Sequence, residues 1–229
     1  MMRWVLLLVL LLLGGLGLAV QRGWLALPPR WDPRAPLDVR AEPDLLSPWR
    51  IWRLRRDPVL CAQALASSRL SYETLPDSRL DTDCPLRNVV RVRAGQARFN
   101  ASFLASCRLA VAYALFEEHG LQPLARAHFG QPVTRIEHFG SFACRTIDGS
   151  RRWSRHAAAD ALDIGAFRLA DGRTISLAGH WQGETREARF LREVRDAACR
   201  HFQGVLGPDY NAAHRDHFHL EVGGFGLCR

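Results

Sequence analysis

The sequence predicts a single α+β domain, a small antiparallel sheet flanked by helices, behind an N-terminal membrane helix. Three observations predict it. Residues 4–20 form an almost unbroken apolar run. Beyond it, helix-period segments and short extended segments alternate with turn signals in a hairpin-like order, which is the α+β pattern. The balance of 48% hydrophobic and 24% charged residues in 229 is that of a globular chain. The part beyond the run and the proline-rich stretch after it, roughly 170 residues, is long enough for one core.

Trp4 to Val20 is preceded by Arg3 and followed by Gln21-Arg22. Its 17 residues are at the short limit of a membrane span and longer than most signal-peptide cores. An uncleaved signal anchor (residues 1–22) is favoured over a cleaved signal, for which Gly17 and Ala19 would be the small residues. Either way the rest of the chain is exported, so the expectation is an inner-membrane-anchored domain in the periplasm. Residues 23–50 carry Pro28, Pro29, Pro33, Pro36, Pro43 and Pro48; this spacing stops regular structure and predicts an extended, stiff linker. The folded domain is then 51–229.

Within it, a helix is expected from Asn100 or Ser102 to His119, with Gly120 as its stop. Val133–Phe139 reads as a strand and Ser141–Arg145 as an extended piece. Asp148-Gly149 is a turn signal. Strands follow over Asp163–Leu169 and Arg173–Leu177, with Asp171-Gly172 turning between them. A second helix covers about Glu187–Phe202, and His217–Val222 is the last strand.

All 31 basic residues are Arg, and the formal charge is +8. That balance suits an anionic partner: membrane lipid, cell-wall polymer or nucleic acid. No basic run interleaved with aromatics selects nucleic acid, so none is expected as a partner. Cys61, Cys84, Cys107, Cys144, Cys199 and Cys228 include no C-x-x-C spacing, which argues against a zinc ribbon or a thioredoxin-like site. An even count in an exported chain points to disulfides, with fifteen pairings open. The plainer reading is that Cys107 and Cys199, inside helical patterns, are small buried hydrophobes.

Two segments concentrate the chemistry. Ser154–Ile164 contains His156 and Asp163; His214–Glu221 contains His214, Asp216, His217 and His219. On one continuous helix His156 and Asp163 would lie about 10 Å apart along the axis, too far to share an ion. The chain must therefore turn between them, and Ala157–Ala161 is small enough to allow it. On a strand, His217 and His219 point to the same face. One would bind the metal and the other stand beside it. Two imidazoles, a carboxylate and an open position are the donor set of a catalytic Zn2+ site, which brings the pKa of its water towards neutrality. His217 is the first choice as proton acceptor, with His214 and Asp216 next. Arg145 is a candidate for holding a substrate carboxylate or an oxyanion. Each element alone has a plain structural reading; their co-occurrence in an exported chain is the signal.

Ser154-x-His156-x6-Asp163 followed by His217-x-His219 resembles the zinc peptidases grouped with lysostaphin, the D-Ala-D-Ala peptidases and the hedgehog signalling domain. The tail His214-x-x-His217-x-His219 is similar to that of the penicillin-insensitive murein endopeptidases. Closer still is the bacterial extensin-like C-terminal family. That resemblance runs through Gly140–Arg145, Ser154–Ile164, Phe167–Arg173, Ala198–Arg200, Leu206–Pro208 and His214–Leu220. It implies metal ligands at His156, Asp163 and His219, with His217 beside the metal. The activity implied is hydrolysis of D-amino-acid peptide bonds in peptidoglycan, as an endopeptidase or a carboxypeptidase. The chain departs from the pattern in having Ala159 where many relatives have Gly, and Arg155 where they have an acidic residue. It also lacks a clear counterpart of the glutamate base of some relatives; Asp216 stands roughly in its place. The alternative is a non-catalytic zinc-containing module that binds the wall.

Overall fold

The computed structural model describes residues 2–54, 57–78, 82–224 and 226–229. The apolar run forms helix α1, Met2–Gln21, with no buried residue. Its length and composition suffice to cross a membrane, and an N-terminal signal sequence would pass the same test. The helix ends on Gly23, whose φ of 74° is left-handed. Gly23 N–H donates to Val20 O at 3.1 Å and Trp24 N–H to Ala19 O at 2.9 Å, the bond pair that satisfies the last carbonyls of a helix.

The proline-rich stretch breaks regular structure as its spacing dictates, but it is not a detached spacer. A short 3-10 turn at Pro29–Trp31 and helix α2, Ser47–Arg53, lie within it or at its end. Leu37 and Val39 are buried in the main core. Val39 N–H donates to Ser67 Oγ and its carbonyl accepts from His119 Nε2, both at 2.8 Å. Burial of two aliphatic side chains thus begins the folded unit upstream of Ile51.

Helix α3, Pro58–Ser67, is capped by Asp57, whose carboxylate accepts from Val59 and Leu60 N–H. Strands β1 (Ser71–Thr74), β2 (Val89–Ala94) and β3 (Arg98–Ser106) follow. The helix expected from Asn100 or Ser102 is therefore a strand at its start. Phe99, Phe103 and Ala105 are buried at alternate positions of the strand, Ala101 between them being exposed, and that period of two overrides the helical stripe. The helix α4 begins at Cys107, with Ser106 Oγ accepting from Leu109 N–H, and ends at Phe116. It continues through a π turn, Glu117–Leu121, into α5, Gln122–Phe129. Gly120 does not stop it. A Cβ there would stand 3.1 Å from Ala197 Cβ, so glycine allows a close helix contact; the stop is Gly130, at φ 70°.

Strands β4 (Val133–Gly140), β5 (Ala161–Leu169) and β6 (Thr174–Ser176) precede helices α6 (Leu177–His180) and α7 (Arg186–Ala198). Strands β7 (Gly204–Leu206), β8 (Phe218–Glu221) and β9 (Leu227–Cys228) complete the chain. Ser141–Arg145, expected to be extended, is loop; beyond it an isolated bridge joins Thr146 to Trp153. The strand expected from His217 starts one residue later.

Among the described residues one sheet runs β1-β2-β3-β4-β5-β8-β7-β9, with β6 also on β5. It is larger than expected and mixed. Its ladders are antiparallel except β3 with β4 and β7 with β9. The first parallel pair exists because α4 and α5 carry the chain across between its strands. Three disulfides, Cys61–Cys107, Cys84–Cys144 and Cys199–Cys228, take up every cysteine. Cys107 and Cys199 are half-cystines, not merely small hydrophobes.

Candidate metal centre

Three local features bring the site together. First, Ser154 caps a single 3-10 turn, Arg155–Ala158, which carries His156. Second, Ala159 reverses the chain at φ 53°, and Asp160 pins the reversal. Its carboxylate accepts from Ser106 Oγ at 2.5 Å and pairs with Arg108 at 3.0 Å. Third, β5 starts at Ala161, and its Asp163 lies directly opposite His219 of β8 in the antiparallel ladder. Opposed residues of neighbouring strands share a face, so these two side chains project together, with His156 brought to them by the turn.

The predicted break between His156 and Asp163 is thus present, and a left-handed alanine makes it. Left-handed backbone costs a non-glycine residue about 1–2 kcal/mol. Glycine at 159 gains that back but orders a freer unfolded chain. Ala159→Gly is expected to raise stability by up to about 1 kcal/mol, read as a higher denaturation midpoint. A lower midpoint would show that the methyl group's packing outweighs the strain.

His156 Nε2 lies 3.1 Å from His219 Nδ1 and 3.2 Å from Asp163 Oδ2, and His219 Nδ1 lies 2.9 Å from Asp163 Oδ1. Ligand atoms of all three fall within 4.8 Å of one another. The far side of each ring fixes its tautomer. His156 Nδ1 is 2.5 Å from the Ser141 carbonyl. A carbonyl only accepts, so this nitrogen carries the hydrogen and Nε2 presents a lone pair. His219 Nε2 is 3.1 Å from Glu221 Oε2, which in the neutral ring likewise leaves a lone pair on Nδ1. Two lone pairs and a carboxylate converging at these distances require a proton or a cation between them. The donor chemistry fits Zn2+, and a carbonyl and a carboxylate behind the rings, Ser141 O and Glu221, are of the kind that orient imidazoles in metal sites.

The electrostatics agree. Burial works against a charged His219, but the hydrogen bonds and charges of Asp163 and Glu221 outweigh it and raise its pKa to about 9. Burial likewise opposes ionisation of Asp163, yet His156 and His219 hold its carboxyl well below the usual range. Glu221 is also lowered, by His219 against its own desolvation.

His217 precedes β8, with Nε2 3.8 Å from Asp163 Oδ1 and Nδ1 2.9 Å from Asp216 Oδ1. Asp216 therefore turns towards His217, which keeps its carboxyl low. His214 packs against the rings of both His217 and His219. Its own burial, then the neighbouring imidazoles, push its pKa down to about 4. Phe139 and Tyr210 lie against His217 and His214; 62% and 42% exposed, they flank the approach.

Arg145 is not brought to this cluster by any described contact. Its guanidinium is exposed, near the Thr146 carbonyl and 4.0 Å from Asp148. Arg155 donates to the Gly223 carbonyl. Glu221 was missed from the sequence, although its signal was present: 217, 219 and 221 alternate onto one strand face. Ser141 and Asp160 carry no such signal, because their roles arise from long-range contacts.

A family model described as extensin-like protein C-terminus matches residues 59–229. No curated protein matches the chain, and no solved structure does.

Proposed function

The chain belongs to the extensin-like protein C-terminus family, and from that premise and the convergence of His156, Asp163 and His219 we propose a zinc-dependent peptidase of the cell envelope. The observation that carries the reading is the convergence of two imidazole nitrogens on one carboxylate, each ring held from behind by a hydrogen bond. The superfamily of lysostaphin and the D-Ala-D-Ala peptidases uses the same ligand order. This supports D-amino-acid peptide bonds of peptidoglycan as the substrate, cut in endopeptidase or carboxypeptidase fashion. Helix α1 and the three disulfides support an inner-membrane anchor with the domain in the periplasm.

When bound, Zn2+ would supply a Lewis acid that polarises a peptide carbonyl and makes water acidic near neutral pH. His156, Asp163 and His219 would hold it. His217 is the proton acceptor of the proposal: Asp216 fixes its Nδ1–H, so Nε2 faces Asp163 with a free lone pair. It takes the proton from the attacking water and returns it to the departing amine. His214, held neutral, shapes the wall beside it. Arg145 has no part in this reading, because its side chain lies on the surface beside Asp148.

The test is zinc content and muropeptide cleavage by the purified full chain, alongside His217→Ala. One zinc per chain and new amine termini are expected. His217→Ala should keep the zinc and lose about 10²–10⁴-fold in rate. Zinc without cleavage would favour the wall-binding module, and no zinc in the unmutated chain would end both readings.

A further inference from the structure

The segment between α1 and α3 lies wholly outside the family match and has no part in the candidate metal centre. It holds four of the chain's seven tryptophans. Trp24, Trp31, Trp49 and Trp52 are 75%, 57%, 48% and 54% exposed. An indole that large is seldom left in water without a partner surface.

Its position is fixed by the structure. Trp24 closes the C-terminus of α1 through its N–H to Ala19 O, so it sits where the apolar helix ends. Arg34 reaches back to the Gln21 carbonyl at 3.4 Å. Buried Arg50 of α2 donates to the carbonyls of Pro29, Arg30 and Asp32, and Arg53 donates to Pro33 O. The mouth of α1, the 3-10 turn and α2 are thereby tied into one collar. Trp49 and Trp52 stack on each other at 5.0 Å at its edge.

Charge says what covers these rings. Residues 22–53 contain six arginines against Asp32, Asp38, Glu42 and Asp44, a net of +2. Asp32, Asp38 and Asp44 are taken up by Arg34, Arg40 and Arg50. Among the described residues no carboxylate pairs with Arg22, Arg30 or Arg53. Arg22 and Arg30 instead lie over the rings of Trp24 and Trp31, at 5.9 and 5.5 Å. Exposed indoles beside unneutralised guanidiniums, continuous with an apolar helix, match the headgroup layer of an anionic bilayer, where tryptophan and arginine partition.

We propose that residues 22–53 form a membrane-docking collar, which seats Trp31, Trp49 and Trp52 in the headgroup layer of an anionic bilayer and holds the domain against it.

The test uses the full chain labelled with 5-fluorotryptophan, in nanodiscs of phosphatidylcholine alone or mixed with phosphatidylglycerol, both containing a lipid with gadolinium on its headgroup. Seven fluorine resonances are expected, assigned by single Trp→Phe substitutions. With phosphatidylglycerol, Trp31, Trp49 and Trp52 should broaden, while exposed Trp153 and buried Trp181 stay sharp. Without it, the broadening of these three should fall. Arg22→Gln with Arg30→Gln should weaken docking by about fivefold for each arginine removed. A changed Trp181 resonance would reveal misfolding of that variant, and the two lipid compositions then decide with the unmutated chain. The proposal is overturned if Trp49 and Trp52 stay as sharp as Trp153 in both discs. It is also overturned if a single-stranded oligonucleotide shifts them while anionic lipid does not. Neither readout depends on zinc or hydrolysis.

Discussion

Asp163→Asn is expected to strip the chain of zinc and of any hydrolytic activity while leaving it folded. The carboxylate is the one formal negative charge among the three converging side chains, and both imidazoles meet it, at 2.9 and 3.2 Å. An amide of the same shape offers a weaker donor and no charge, so the cation loses a ligand and its counter-charge together. The loss of affinity should exceed the about 10–100-fold typical of an outer partner. Glu221→Gln supplies that comparison, because Glu221 meets the converging side chains at the far nitrogen of His219. Competition with a chromophoric chelator measures both variants. An Asp163→Asn chain that binds zinc as tightly as the unmutated one would remove the metal centre and the peptidase reading with it.

The zinc-free chain should lose stability as the solution is made alkaline, and the zinc-loaded chain should not. The pKa of His219 is raised to about 9 in the folded state, against about 6.5 for an ordinary histidine. A raised histidine pKa means that folding favours the protonated ring. Its contribution is therefore fully present below the unfolded value and is lost as pH rises through the folded one. The shift corresponds to stabilisation on the order of 3 kcal/mol. Asp163 works in the opposite sense: its lowered pKa stabilises the fold above the ordinary carboxylate range, and that part is lost in acid. With zinc in place of the shared proton, the alkaline loss should vanish, while acid should release the ion because protons compete for its ligands. Thermal unfolding midpoints from about pH 6 to 10, with and without chelator, check this. Parallel profiles for the two forms would contradict it, and Asp163→Asn should flatten the zinc-free curve.

Local chemistry made several features readable from the chain alone. The run Trp4–Val20 is long and apolar enough for a helix that crosses a membrane or serves as a signal, and α1 covers it. The spacing of His156 and Asp163 demanded a reversal, because a continuous helix would hold them too far apart; the turn at Ala159 is that reversal. Strand alternation placed His217 and His219 on one side, and the same rule applied once more would have reached Glu221.

Where period and context conflict, the sequence misled. Asn100–His119 satisfies a helical stripe, yet Phe99, Phe103 and Ala105 bury as a strand because β2 pairs alongside them. Leu37 and Val39 sit among prolines that forbid regular structure, but nothing local says that Ser67 and His119 will bind their backbone.

Legible in the chain alone, then, were the apolar helix, the α+β character, the even set of cysteines and the residue types able to hold a cation. These depend on composition and on spacings of a few residues. Long-range packing settled which cysteines pair, that β3 and β4 run parallel, that Asp163 faces His219, and that Ser141 and Glu221 hold the two rings from behind. Each of these joins positions that are distant along the chain or depends on which face of a strand turns inward. That information resides in the packing of the whole core rather than in any local pattern.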